Sequence, residues 1–191
     1  LIATNMGRNV WMGHDGGASG RMFAPAPPYP ERGDMTQPEF EVAADRLALK
    51  KGLRFMLTHP VEEIGLSVTK LRAMYESDAN GLDWNSRYRD EYFAYGLAGP
   101  LRATANGFWF AALAFSAAGL VAVRQQLRDG ALVLPLIALG WTAMHLLFFG
   151  DSRFHYPIVF VFALLGARGL IVIFEALRRP QLSTARGYAE A

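Results

Sequence analysis

The sequence predicts an all-α membrane protein in which an external head, made of a helical hairpin and loops, precedes three transmembrane helices. Three apolar runs of membrane length lie within the last 85 of the 191 residues, and they are Gly107–Val123, Ala131–Phe149 and Pro157–Phe174. At about 1.5 Å per helical residue, each run would reach roughly 25–29 Å, close to a hydrocarbon core about 30 Å thick. The first 100 residues contain no such run, which predicts a polar head.

Two short turns set the predicted domain boundaries. Arg124–Gly130 and Gly150–Tyr156 separate the apolar runs and are too short to form domains outside the bilayer. We therefore expect an extracytoplasmic head over residues 1–102, the transmembrane helices within residues 103–175 and a cytoplasmic tail over residues 176–191.

The arginines around the apolar runs predict an orientation. Five of them lie in the first turn and the tail, and the second turn holds only Arg153; the five are Arg124, Arg128, Arg178, Arg179 and Arg186. Because basic residues concentrate on the cytoplasmic side of membrane proteins, the head and the second turn are expected outside. The predicted location is the inner membrane of a bacterium, with the C-terminus in the cytoplasm.

Composition excludes several classes of function. The head carries 12 basic and 13 acidic residues, which gives no cationic surface for nucleic acid. Cysteine is absent, so neither a disulfide framework nor a thiolate metal site can form. The four histidines, His14, His59, His145 and His155, are isolated from one another in the sequence and do not have metal-ligand spacing. We expect no metal and no cofactor.

Local signals predict a helical hairpin in the head. Thr36 and Glu39 have capping-box spacing at the start of a helix that would end at Thr58. The dipeptide His59-Pro60 interrupts it, because a residue before proline disfavours the α region. A second helix over Pro60–Tyr75 would carry one apolar face, whose members are spaced three and four residues apart: Val61, Ile64, Val68, Leu71 and Tyr75. We expect the two helices to pack on each other or to lie on the bilayer surface.

The rest of the head is expected to contain little regular structure. Leu1–Gly20 is rich in asparagine and glycine and predicts a loop, and Arg21–Gly33 is a proline-rich connector. A short helix with an aromatic face leads to the membrane, and its aromatic residues are Trp84, Tyr88, Tyr92 and Tyr95. This face predicts an interfacial anchor, and a platform for a sugar is the alternative. The chain starts at Leu1 without an export signal, so we expect it to be the C-terminal part of a longer polytopic protein.

Three segments resemble the C-terminal half of the bacterial family 39-like membrane glycosyltransferases, which belong to the GT-C class with the protein mannosyltransferases. The first is TNMGRNVWMG at residues 4–13 with ASG at 18–20, similar to an asparagine–glycine segment of the family, although His14 stands where the family often has Asn. The second is FMLTHP at residues 55–60 with Lys70-Leu71 downstream. The third is FGDSRFHYP at residues 149–157, which resembles the turn into the last helices of the family.

The resemblance implies an enzyme that moves a sugar from a polyprenyl-phosphate donor to an extracytoplasmic acceptor. In the family the catalytic acid lies in the first external loop, which this chain does not contain, so no catalytic residue is assigned here. The alternative is a non-catalytic transmembrane subunit of a larger complex, such as a degenerate relative of such an enzyme. Expected partners are the lipid bilayer, the polyprenyl-linked donor, and N-terminal transmembrane helices or other membrane subunits.

Five residues are candidates for contacts with the substrate or the donor. Arg153 is the single basic residue of the external turn and could bind a donor phosphate bidentately, and His155 follows it. The alternative role of Arg153 is a surface ion pair with Asp151. Asn5, Asn9 and Trp11 could hold sugar hydroxyls or could satisfy the backbone of their loop. Asp15, Glu62 and Glu63 are better explained as a turn former and two residues of a helix start.

Overall fold

The computed structural model describes residues 5–22, 28–88, 96–124, 130 and 132–189, and over these ranges it contains helices and no strand. This confirms the all-α class. The helices are α1 Met6–Gly13, α2 Gln37–Thr58, α3 Pro60–Tyr75, α4 Asn80–Tyr88, α5 Ala98–Val123, α6 Val133–Leu146 and α7 Val159–Ala189, with a 3-10 helix over Ser152–Ile158 before α7. They form two compact units, one of Leu1–Ser77 with Gly140–Tyr156 and one of Asp78–Leu139 with Pro157–Ala191.

The helical hairpin has the predicted boundaries. The capping box is present at the start of α2, where the Glu39 carboxylate accepts hydrogen bonds from both the backbone N–H and the hydroxyl of Thr36, at 2.9 and 2.8 Å. His59 ends α2, and Pro60 occupies the first turn of α3, where its missing N–H is not needed. The predicted starts, the break and the end at Tyr75 are therefore confirmed.

The two hairpin helices do not pack on each other. They make few mutual contacts, because α2 packs mainly against α1. The apolar face of α3 is exposed at Val61, Ile64, Val68 and Leu71. Of the two expected arrangements, packing of the two helices on each other is thus wrong, because the buried side of α3 is the opposite one, at Lys70, Ala73 and Met74. A position on the bilayer surface stays a prediction.

The loop expected over the first 20 residues contains a helix instead. In α1, Val10 and Trp11 are buried. Its glycines allow close packing: a Cβ on Gly7 would overlap the carbonyl oxygen of Asp45, and one on Gly13 would overlap that of Phe148. The glycines that predicted a loop therefore serve helix packing, where a side chain would not fit. Packing against α2 compensates for their low helix propensity.

In the second unit, α5 and α7 are joined along small residues. A Cβ on Gly119 would overlap the Leu165 carbonyl oxygen, and the Ser116 hydroxyl donates to the carbonyls of Ala112 and Phe162, both at 2.6 Å. The buried Trp109 ring also meets Phe162 edge to face, with centroids 5.5 Å apart. Small residues and a hydroxyl that bonds across the helices are typical of helix pairs in membranes.

In the described part of the chain, two helices are long and apolar enough to cross a membrane, namely α5 and the helix over Ser152–Arg178. Helix α5 begins at Ala98, nine residues before the predicted apolar run, so its first turns contain polar residues. Helix α6 has 14 residues, about 21 Å, which is shorter than a usual span. Two of the three predicted spans therefore meet the criterion of length and hydropathy. The predicted aromatic helix is present as α4, and Tyr92 and Tyr95 lie outside the described residues.

Candidate functional site

The three segments that carry the family resemblance meet in the first compact unit. The N–H of Gly150 in the third segment donates to the carbonyl oxygen of Gly20 in the first, at 2.7 Å. A Cβ on Gly150 would also lie against the backbone of Lys70, in the second segment. Close backbone contact at glycine thus brings together residues 20, 70 and 150 of the chain.

A buried group of three ionisable side chains lies at this meeting point. The Nζ of Lys70 is 3.1 Å from Nε2 of His14, and Nδ1 of His14 is 2.7 Å from Oε2 of Glu63. Lys70 and His14 are each 1% exposed. We call Glu63, His14 and Lys70 the buried triad.

The electrostatics of the buried triad follow from desolvation. Burial lowers the pKa of Lys70 to about 8, although the Glu63 carboxylate acts in the opposite direction. Burial and the Lys70 charge also lower the pKa of His14, against the effect of Glu63. A neutral His14 that donates from Nδ1 to Glu63 and accepts at Nε2 from Lys70 satisfies this geometry. Because its pKa is lowered, His14 is neutral at neutral pH, whereas Lys70, with a pKa of about 8, is still mostly charged.

Lys70 connects more than its two triad partners. Its ammonium also donates to the carbonyl oxygen of Leu146, at 3.0 Å, at the C-terminal end of α6. One buried cation therefore links α1, α3 and α6 within the first unit. The second oxygen of Glu63, Oε1, is buried and has no hydrogen-bond partner among the described residues. Because Lys70 and His14 are almost fully enclosed, the triad can position backbone and exchange protons, but it does not present a surface to a large substrate.

The third segment is held against α3 by His155. This side chain is fully buried, and its Nδ1 donates to the carbonyl oxygen of Met74, at 2.8 Å. Its ring stacks on Tyr75, with centroids 6.4 Å apart. The Nε1–H of Trp141 donates to the carbonyl oxygen of Phe154, at 2.6 Å, and fixes the same turn to α6. His155 thus anchors the turn that carries Arg153.

Arg153 lies on the exposed side of this turn. Its side chain is 42% exposed, and its Nε lies 3.7 Å from Oδ2 of Asp151. Its guanidinium carbon lies 5.3 Å from the centre of the Phe154 ring. The ion pair given as the alternative role is therefore present, and contact with a donor phosphate stays a prediction.

The three candidates near the N-terminus have different environments. Trp11 is buried against α2, where a Cβ on Gly52 would lie 3.1 Å from the Trp11 backbone. Asn9 is half-buried in α1, and Asn5 is exposed just before it. Asn5 lines a cleft of about 560 Å³, whose other lining residues include Arg8, Tyr29, Arg32, Phe40, Glu41 and Asp45. The residues that line this cleft do not include the other four candidates.

Sequence reasoning missed the buried triad. The sequence assigns Glu63 to a helix start, Lys70 to a resembling segment, and His14 to no group at all. The spacing of Glu63 and Lys70, seven residues or two helical turns, was a signal that they share one face of α3. Nothing in the sequence could place His14, 49 residues from Glu63, against that face. The described part of the chain holds no group of three or more His, Cys, Asp or Glu side chains arranged for a metal ion.

Comparisons with protein-family models, with curated proteins and with solved structures find no match to this chain.

Proposed function

We propose that this chain is the C-terminal portion of an integral membrane glycosyltransferase that moves a sugar from a polyprenyl-phosphate donor to an extracytoplasmic acceptor. The observation that carries the proposal is the meeting of the three resembling segments. They lie far apart in the sequence, yet Gly150 contacts both Gly20 and Lys70 within one unit. A chance likeness in three separate stretches would not require that they meet. The catalytic acid is then supplied from outside these 191 residues.

In this proposal Arg153 binds the donor phosphate at the outer face of the inner membrane. Its long contact with Asp151, at 3.7 Å, is a weak surface pair that a phosphate can replace. A guanidinium binds phosphate with two parallel hydrogen bonds, which are stronger than neutral ones. His155 acts as a positioning residue, because its bond to Met74 fixes the turn while its ring stays buried.

The cleft beside Asn5 is where we place sugar hydroxyls of the acceptor. It joins an exposed aromatic ring, Tyr29, with the amide of Asn5 and the guanidinium groups of Arg8 and Arg32. Aromatic rings and planar polar groups are suited to the apolar faces and the hydroxyls of a sugar. Trp11 supports this region from within, since it is buried between α1 and α2.

Substitutions at Arg153 in the full-length protein test the proposal. Arg153→Lys keeps the charge and loses the planar fork, and Arg153→Ala loses both. Sugar transfer from a polyprenyl-phosphate donor should fall in Arg153→Lys and fall further in Arg153→Ala. Arg46→Ala, which removes an exposed arginine of α2, is the matched control and should keep full activity. Full sugar transfer by Arg153→Ala, with normal expression, would show that Arg153 does not bind the donor phosphate.

The second candidate function is a non-catalytic membrane subunit. It is favoured by the burial of His14, Lys70 and His155, which are engaged in holding the unit together. For this function, the Arg153 variants should stay inserted and lose only their association with partner subunits. Co-purification of partners, measured beside sugar transfer in the same membranes, separates the two functions.

A further inference from the structure

Helix α3 exposes apolar side chains and buries polar ones, which is the reverse of a surface helix in an ordinary soluble domain. Its outward face carries Val61, Ile64, Val68 and Leu71, whose exposed fractions are 76, 67, 61 and 37%. The inward face carries the buried Lys70 and the half-buried Glu63. Spacings of three, four and three residues place the four apolar side chains on one side of the helix. A surface helix in water normally buries such a stripe, so this one needs a partner.

The orientation of α3 is fixed by its polar side. Lys70 bonds to His14 and to the Leu146 carbonyl, and Glu63 bonds to His14. Rotation of the helix to bury the apolar stripe would expose these groups and break their hydrogen bonds. The apolar stripe is therefore held outward by the buried triad.

The helix that precedes α3 along the chain is positively charged over its C-terminal half. Between Arg46 and His59, α2 carries four basic residues and no acidic residue, and all four are exposed: Arg46, Lys50, Lys51 and Arg54. Leu57, one turn before α3, is 84% exposed. Basic residues beside exposed leucines are typical of helices that lie in the interface of an anionic membrane.

We propose that α3, with the C-terminal half of α2, lies in the surface of an anionic bilayer and inserts its apolar stripe below the lipid headgroups. The positive charge of α2 selects this occupant over a second copy of the chain, since two copies would bring like charges together. Two helices of membrane-spanning length in the same chain supply the bilayer. The inference rests on the membrane association in the proposed function and is independent of sugar transfer.

Fluorescence from single cysteines tests the insertion, and the chain has no native cysteine to interfere. The protein is placed in nanodiscs of phosphatidylglycerol or of phosphatidylcholine and labelled with an environment-sensitive dye at Ile64→Cys or Val68→Cys. Both labels should shift to the blue and be quenched by nitroxide-labelled lipids. The shift should be larger in phosphatidylglycerol and should decrease with added salt. Glu62→Cys, exposed on another side of α3, is the matched control and should behave as in water.

A label at Leu164→Cys, exposed on α7, reports whether the chain enters the bilayer at all. If lipid quenches the label at residue 164 but the one at residue 68 stays water-like, the interfacial proposal is overturned and membrane insertion stands. If neither is quenched, the membrane part of the proposed function fails as well. A blue-shifted label at residue 68 that lipid does not quench would indicate a protein partner or a second copy, and would also overturn the proposal.

Removal of one charge provides a quantitative test. Each basic residue near an anionic surface contributes about 1 kcal/mol, so Lys50→Gln should lower the ratio of inserted to exposed α3 in phosphatidylglycerol about fivefold. Arg32→Gln removes one exposed charge outside α2 and α3 and should leave this ratio unchanged. An equal effect of the two substitutions would contradict a local electrostatic contact.

Discussion

The ammonium of Lys70 lies 3.1 Å from Nε2 of His14, a residue 56 positions away in the sequence. This contact joins α3 to the C-terminal end of α1. The same ammonium donates to the Leu146 carbonyl, and His14 passes the connection on to Glu63. A buried cation thus fixes which side of α3 faces the inside of its unit. Stability, pH dependence and the direction of the apolar stripe all depend on this group.

Truncation of Lys70 should destabilise the first unit. Lys70→Ala removes the donor to Leu146 and His14 and takes the positive charge away from the half-buried Glu63, a loss of about 3 kcal/mol. Lys70→Met keeps most of the side-chain volume and should cost less, because it leaves a smaller cavity than alanine does. Thermal unfolding of the purified protein in detergent measures the stability of both variants.

The matched control is Lys50→Met, at an exposed site of α2, which should change stability by about 0.5 kcal/mol or less. Equal stability of Lys70→Ala and the wild type would refute a structural role for the triad.

The stability of the wild type should rise with pH between about 8 and 10. Burial lowers the pKa of Lys70 to about 8, below its ordinary value of 10.5, so the folded state binds fewer protons than the unfolded state in this window. The free energy of unfolding then increases by about 2 kcal/mol between pH 8 and pH 10, and the slope from Lys70 disappears within about one pH unit below 8.

Denaturant unfolding at a series of pH values, for the wild type and Lys70→Met, isolates this contribution. The variant should lack the rise. Measurements stop at pH 10, because burial raises the pKa of Tyr75 and its ionisation acts in the opposite direction above that pH. Parallel pH curves for the two proteins would show that Lys70 is not desolvated in the folded state.

A methyl group at Gly119 should separate α5 from α7. The added Cβ would overlap the carbonyl oxygen of Leu165, so the helices must move apart and lose the contact between Ser116 and Phe162. Overpacking of this kind costs about 1–3 kcal/mol, and we expect lower thermal stability and faster proteolysis for Gly119→Ala. The control is Gly107→Ala in the same helix, where a Cβ meets no atom within 4 Å. The control should match the wild type or exceed it slightly, because alanine favours helix. If the two variants are equally stable, α5 and α7 do not pack as described.

The orientation in the membrane can be tested by labelling intact cells with a membrane-impermeant thiol reagent. From the arginine distribution, Asp34→Cys in the predicted head should react from outside, and Gln126→Cys in the predicted turn after the first apolar run should react only after the cells are opened. Asp34 is exposed, whereas Ser152 in the second turn is buried and would report poorly. Reaction of Gln126→Cys in intact cells would show that the topology is the reverse of the predicted one.

Local signals in the sequence were sufficient to predict the two hairpin helices and the all-α class. The capping box at Thr36, the break at His59-Pro60 and the length of the apolar runs each depend on neighbours within a few residues, which the sequence displays directly. Helix α1 was not predictable in this way. Its glycines are unfavourable for an isolated helix and become favourable only where Asp45 and Phe148 approach them.

The spacing of apolar residues is enough to identify the stripe on α3 and its members. Its outward direction depends on contacts between distant segments, because the buried side of α3 is set by Lys70 and its bonds to His14 and Leu146. The same holds for the candidate site: Arg153 stands out in the sequence as the lone cation of its turn, but the burial of His155 and the buried triad depend on contacts between distant segments. Periodicity along one helix identifies a face, whereas the energy of burying that face depends on which distant groups meet it.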